Sequence, residues 1–192
     1  MRIDPTAITK FTVCFKPLRY VRVTPMSHAS TPLGMGFGDT RFASPAGSFR
    51  LLYIAKDIAT GIAETIVRDR FEGMAVGELM MSEIISWGAT EISILHRLRL
   101  LDLRGPGCVA LRISTDIKGA KGQDEARRFS QRVYEETDLD GILYRSRLTG
   151  KECAAIYDCA VATKLGATDV IPLHRLADLV PALESLHVEL VR

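Results

Sequence analysis

Four polar side chains stand where the surrounding pattern gives them no structural role. They are Arg41 in Thr-Arg-Phe, Tyr53 inside an apolar run, Glu64 inside an apolar helical pattern, and Ser146 closing a strand pattern. By type they are a guanidinium, a phenol, a carboxylate and a hydroxyl. Such groups grip anions, stack on flat rings, offset a developing positive charge and orient a neighbour by hydrogen bonding. Taken singly, each has an ordinary reading. Glu64 can be a solvated helix residue, Tyr53 a core aromatic with a satisfied hydroxyl, Arg41 a surface arginine and Ser146 a turn residue. Taken together they are ordered along the chain, with Arg41 and Tyr53 twelve residues apart and Tyr53 and Glu64 eleven. Familiar signatures are missing: there is no G-x-x-x-x-G-K-[ST], H-E-x-x-H or G-x-S-x-G, and Gly34, Gly36 and Gly38 do not follow a strand and open a helix. P-loop and Rossmann chemistry are excluded, and no local context brings a Ser/His/Asp triad into mutual reach.

The elements that must position this set are partly readable. Phe11-Thr-Val-Cys-Phe and Tyr20-Val-Arg-Val, separated by Pro17, read as short strands, with Arg22 on the second. Val23 to Gly38 is broken by prolines and glycines and reads as a loop. Leu51-Leu-Tyr-Ile-Ala is a compact apolar run suited to a buried strand. Asp57 can cap a helix to about Phe71, because Ile58, Ile62 and Ile66 share a face from which Glu64 points away. The stretch from Glu91 to Leu103 alternates like one long half-buried strand and favours an antiparallel sheet. A helix from Gly122 to about Thr137 buries Ala126, Phe129 and Val133, with Arg127, Arg128 and Arg132 on a solvated face. Gly141-Ile-Leu-Tyr and Glu152-Cys-Ala-Ala-Ile-Tyr imply a hairpin around Gly150. Near the end, Leu176 to Leu186 gives two short helical pieces interrupted at Pro181. Strands and helices mix without strict β-α-β alternation, which points to an α+β fold.

Composition bounds the partners. A chain of 192 residues suits one domain covering 1–192. Its 25 basic and 23 acidic residues leave +2, so bulk charge demands neither nucleic acid nor an anionic membrane. No apolar run approaches about 20 residues and the N-terminus does not read as a secretory signal, so a cytoplasmic location is expected. Cys14, Cys108, Cys153 and Cys159 form no C-x-x-C pair, and the scattered histidines give no metal-ligand spacing, so reduced thiols and no metal are expected.

The run Pro32-Leu-Gly…Thr40-Arg-Phe-Ala-Ser-Pro…Leu51-Leu-Tyr-Ile-Ala…Ala63-Glu-Thr-Ile-Val-Arg-Asp, followed later by Gly141-Ile-Leu-Tyr-Arg-Ser-Arg-Leu, resembles the RES-domain toxins of bacterial RES-Xre toxin-antitoxin pairs. The likeness runs from about Tyr20 to Asp158. It implies an ADP-ribosyltransferase-like split antiparallel β-sheet with flanking helices, binding NAD in a central cleft. Carried over by position, Arg41 is the family arginine, Tyr53 the aromatic, Glu64 the acid and Ser146 the serine. The N-terminal arginine maps to Arg22, with Arg19 as a rival.

The resemblance further implies that the nicotinamide–ribose bond of NAD is broken. A carboxylate, Glu64, would offset the charge on the oxocarbenium-like sugar, and Arg41 and Arg22 would grip the phosphates. Tyr53 would stack on the nicotinamide, and Ser146 would hydrogen-bond Glu64 or a ribose hydroxyl. The expected function is that of a toxin degrading NAD by hydrolysis or phosphorolysis, silenced by a cognate Xre-type helix-turn-helix antitoxin that brings the DNA binding. Alternatives are a mono-ADP-ribosyltransferase acting on a protein and a catalytically inactive antitoxin-binding module. A nucleic-acid-cleaving toxin fits poorly, lacking a basic excess and acid-base histidines.

Overall fold

The computed structural model describes residues 5–192. Its strands are β1 (Thr12–Phe15), β2 (Tyr20–Pro25), β3 (Leu51–Ala55), β4 (Gly77–Met80), β5 (Trp87–Ile94), β6 (Leu98–Asp102), β7 (Gly141–Arg145), β8 (Glu152–Tyr157), β9 (Leu165–Ala167), β10 (Ile171–Pro172) and β11 (Val188–Val191). The helices are α1 (Pro5–Lys10), α2 (Ile58–Ile62), α3 (Met81–Ile85), α4 (Gly107–Ala110), α5 (Asp124–Glu136), α6 (Asp158–Lys164) and α7 (Leu179–Ser185). The class is α+β, as the mixture of patterns predicts. Contacts divide the chain into two compact units. One holds residues 5–17, Met35–Tyr53 and Ile94–Leu165; the other holds Leu18–Gly34, Ile54–Ser93 and Gly166–Arg192.

In the first unit the strands run in the order β1-β6-β7-β8-β3. β1 and β6 are antiparallel, as are β7 and β8, while β6 and β7 are parallel because α4 and α5 carry the chain across between them. Leu100, Leu101, Ile142 and Leu143 lose all their exposure, so these central strands are covered on both faces and read as continuous apolar runs. Gly141 has φ +154°, and a Cβ there would lie 2.2 Å from the Ala155 carbonyl oxygen, so only glycine lets β7 start so close to β8. The expected hairpin forms, with Gly150 at φ +69° in its turn.

In the second unit β2 pairs antiparallel with β5 from Tyr20↔Ile92 to Pro25↔Trp87, and with β3 at Val21↔Ala55. β10 extends β5, and β4 and β11 make a separate parallel pair. Val23, Ile62, Leu79, Ile84, Leu179 and Leu183 share one apolar cluster. Gly61 lets α2 press onto β2, since a Cβ would meet the Val23 side chain at 2.8 Å.

Three expectations change. The helix capped by Asp57, whose Oδ1 accepts from the Thr60 backbone N–H at 2.9 Å, does not reach Phe71. After Ile62 it widens into a π turn over Ala63–Val67, closed by Arg68 N–H to the Ala63 carbonyl at 2.7 Å, and it stops at Arg68 with φ +46°. The long strand from Glu91 to Leu103 is two strands, because Leu95 and His96 turn their N–H groups to the Lys164 carbonyl instead. Pro181 does not interrupt a helix either. It lies in the first turn of α7, where a missing N–H is tolerated, and the break falls earlier, after a 3₁₀ turn at Leu173–Arg175.

Candidate active site

Tyr53 lies at the middle of β3, and its hydroxyl organises the segment before it. The phenol oxygen is 2.9 Å from the Thr40 hydroxyl and accepts the Phe42 backbone N–H at 3.2 Å. Burial pushes the phenol up to about 12, against the opposing pull of its hydrogen bonds and of the nearby Arg41 and Arg127 guanidiniums. It therefore stays neutral and fixes the turn that carries Arg41. Arg41 itself, half-buried, donates through Nη1 to the Ala120 carbonyl at 2.9 Å and more weakly to that of Ile117 at 3.5 Å. These bonds fix where the guanidinium sits, as a positioned anion ligand requires.

An open cleft of about 620 Å³ in the same unit is lined by Phe37, Thr40, Ser44, Phe49, Arg50 and Tyr53 among others. Its walls are held by α5. Arg127 donates through Nε to the Thr40 carbonyl at 3.1 Å and pairs with Asp39 at 3.0 Å. One turn on, Gln131 accepts from the Ser44 hydroxyl at 2.5 Å and donates to the Ser48 hydroxyl at 3.0 Å. Sequence patterning places Arg127 on a solvated face; in the structure it is instead half-buried and tied to one wall of the cleft while Gln131 ties the other. The i, i+4 spacing of the two is the one sequence signal that could have found them.

Ser146, buried at the end of β7, accepts the backbone N–H groups of Leu148 and Thr149, each at 3.1 Å. Both bonds stay inside its own turn, and the hydroxyl hydrogen is the donor such a serine can offer elsewhere.

The other two residues of the set belong to the second unit. Glu64 is half-buried in the π turn, and its carboxylate makes no hydrogen bond or ion pair among the described residues. Arg22 lies opposite Thr90 on β2, and strand alternation turns it to the face away from α2, which Val21 and Val23 face. Its Nη1 donates to the Pro32 carbonyl at 3.0 Å, no carboxylate pairs with it among the described residues, and burial lowers its pKa. Arg19, its rival, is exposed at φ +56°. The structure thus brings Arg41 and Tyr53 together around one turn and sets Glu64 and Arg22 on adjoining elements of the other unit.

The model of the RES domain matches residues 14–175. The chain belongs to the RES domain family. The chain is similar to the "Probable toxin y4kH" of Sinorhizobium fredii, 30% identical over 113 residues, which cover 58% of this chain and 88% of that one. The crystal structure of the M. tuberculosis MbcT-MbcA toxin-antitoxin complex contains a similar fold, with TM-score 0.68 over 96% of this chain and 99% of that chain at 14% identity. The resemblance to the RES-domain toxins is thereby borne out, as is the α+β fold with flanking helices. The parallel pairs β6–β7 and β4–β11 are departures from a wholly antiparallel arrangement.

Chemically, this RES domain offers two kinds of group. Tyr53, Ser146 and Arg41 are tethered to backbone. Glu64 and Arg22 are a carboxylate and a guanidinium held partly out of water without a countercharge among the described residues, and such groups favour ligands of opposite sign.

Proposed function

We propose that this RES domain is the toxin of a toxin-antitoxin pair and that it cleaves NAD between nicotinamide and ribose. Glu64 carries the reading: a half-buried carboxylate without a partner among the described residues is poised to meet positive charge. As the C–N bond lengthens, its electron pair leaves with nicotinamide and the ribose carbon becomes cationic. A carboxylate beside that carbon offsets the charge where it develops. An oxygen of water, phosphate or a protein side chain then bonds the same carbon and gives up its proton.

The other residues take binding roles. Arg41 and Arg22 hold the phosphates, and the desolvation of Arg22 favours it over Arg19 for this role. The Tyr53 ring offers a stacking face, and Ser146 offers its hydroxyl hydrogen to a ribose hydroxyl. No metal takes part in this scheme. A chain that consumes NAD in the cytoplasm harms its own cell unless silenced, so the reading includes an Xre-type helix-turn-helix antitoxin that blocks the site and supplies the DNA contacts. The naming of the S. fredii relative as a toxin supports this.

The test is nicotinamide release from NAD by the purified chain. Release is expected from the wild type and is lost in Glu64→Gln with the circular dichroism spectrum unchanged. Free ADP-ribose identifies water as acceptor, its phosphate ester identifies phosphate, and a mass increase on a second protein identifies transfer. No nicotinamide with any acceptor refutes the reading and leaves an inert antitoxin-binding module.

A further inference from the structure

The cleft of the first unit has an edge that this chemistry does not use. Phe37 stands between Gly36 and Gly38 with 65% of its surface exposed. One face of its ring is covered by the Arg50 guanidinium, whose carbon lies 4.7 Å from the ring centroid, too close to admit a third group between them. The exposure therefore belongs largely to the other face.

Arg50 is the fixed member of the pair. Its backbone N–H donates to Asp158 Oδ2 at 3.0 Å and its carbonyl accepts the Asp158 N–H at 3.1 Å. Next to it, Phe49 is buried with its ring 4.6 Å from Tyr134 and 4.9 Å from Tyr157, so the strand entry carrying Arg50 rests on a packed aromatic floor. Phe37 and Arg50 both line the cleft together with Tyr53.

Resting on the NAD reading, we propose that the open face of Phe37, backed by Arg50, is the stacking platform for the adenine base of the dinucleotide. Charge separates the two bases. A guanidinium behind one face draws the ring's π density towards itself and places a positive charge beneath whatever stacks on the other face. The nicotinamide ring is cationic while attached and is repelled there, whereas adenine is uncharged at neutral pH and stacks on any aromatic face. The volume of about 620 Å³ lies within the range of small-molecule sites.

The experiment uses the full chain with AMP and nicotinamide mononucleotide as separate probes, each titrated calorimetrically. Wild type binds AMP. Phe37→Ala weakens AMP binding roughly tenfold, as loss of one base–aromatic stack does. Phe37→Trp restores it, and neither change alters the affinity for nicotinamide mononucleotide. No AMP binding by wild type, an AMP affinity indifferent to Phe37→Ala in a folded protein, or an equal loss for both probes overturns the proposal. Nicotinamide release is assayed on the same samples. Phe37-dependent AMP binding without release refutes the cleavage reading alone, and release with Phe37-indifferent AMP binding refutes the platform alone.

Discussion

Tyr53→Phe separates the two jobs assigned to one side chain, because it keeps the ring and removes only the hydroxyl. The hydroxyl makes two contacts, with the Thr40 hydroxyl at 2.9 Å and from the Phe42 N–H at 3.2 Å. Phe42 has no exposed surface, so its N–H is left without water to replace the lost acceptor. An orphaned buried donor costs about 1–3 kcal/mol and a lost neutral hydrogen bond about 0.5–1.5 kcal/mol. Together they predict a loss of about 1.5–4.5 kcal/mol, and at about 2–4 °C per kcal/mol for a chain of this size Tm falls by at least about 3 °C. Activity should divide differently: KM for NAD rises because the Arg41 turn loosens, while kcat changes little because the ring and Glu64 remain. The alkaline limb gives a second readout. The folded state holds the Tyr53 proton more tightly than the unfolded chain, with the phenol raised from 10.0 to about 12. Its contribution to stability is therefore complete below about pH 10 and disappears as the pH rises through about 12. The stability gap between wild type and Tyr53→Phe should narrow across that window. Thermal denaturation followed by circular dichroism at several pH values measures both. An unchanged Tm, or a loss of kcat as deep as that of Glu64→Gln, refutes the assignment of the hydroxyl as a strut.

Further substitutions probe the remaining elements. Arg22→Met removes a desolvated guanidinium with no carboxylate partner among the described residues, so Tm should hold or rise while KM for NAD increases; a fall in Tm shows the arginine to be structural. Gln131→Leu unties Ser44 and Ser48 from α5 and should raise KM with a Tm loss of a few degrees, whereas unchanged kinetics deny α5 a part in shaping the cleft. Gly141→Ala forces a Cβ to 2.2 Å from the Ala155 carbonyl oxygen and should abolish soluble expression or lower Tm drastically; near-normal stability contradicts the close approach of β7 and β8.

How much of this was readable beforehand depends on where each residue's partners lie. β2, β3, β7, β8 and α5 announce themselves through local patterns, because burial of one strand or one helix stripe leaves a period in the sequence. The π turn at Ala63–Val67 leaves none, since a one-residue shift in the helical hydrogen bond alters no apolar spacing over so short a span. The break between β5 and β6 is hidden for a related reason. The Glu91–Leu103 stretch keeps alternating because both halves bury one face, and the acceptor that ends the first strand, the Lys164 carbonyl, is some seventy residues away. Arg127 is the clearest miss. Its neighbours on α5 look solvated, and what holds it is the carbonyl of Thr40, 87 residues away.

The set of site residues also divides by how its polar atoms are engaged, and that division has consequences. Groups that position a ligand work best when fixed by packing and hydrogen bonds, and Tyr53, Arg41 and Ser146 each bond to backbone atoms nearby. A group that meets charge only at the transition state works best when nothing else offsets it beforehand, because interactions already present in the ground state cannot accelerate the step. Glu64 meets that condition among the described residues. Damage to the tethered group should therefore appear in stability and KM together. Damage to Glu64 should appear in kcat alone, because a carboxylate without partners among the described residues leaves nothing there unsatisfied when it is changed. A Glu64→Gln variant that lost both Tm and activity would show that the carboxylate holds the π turn together, and catalysis would have to be assigned elsewhere.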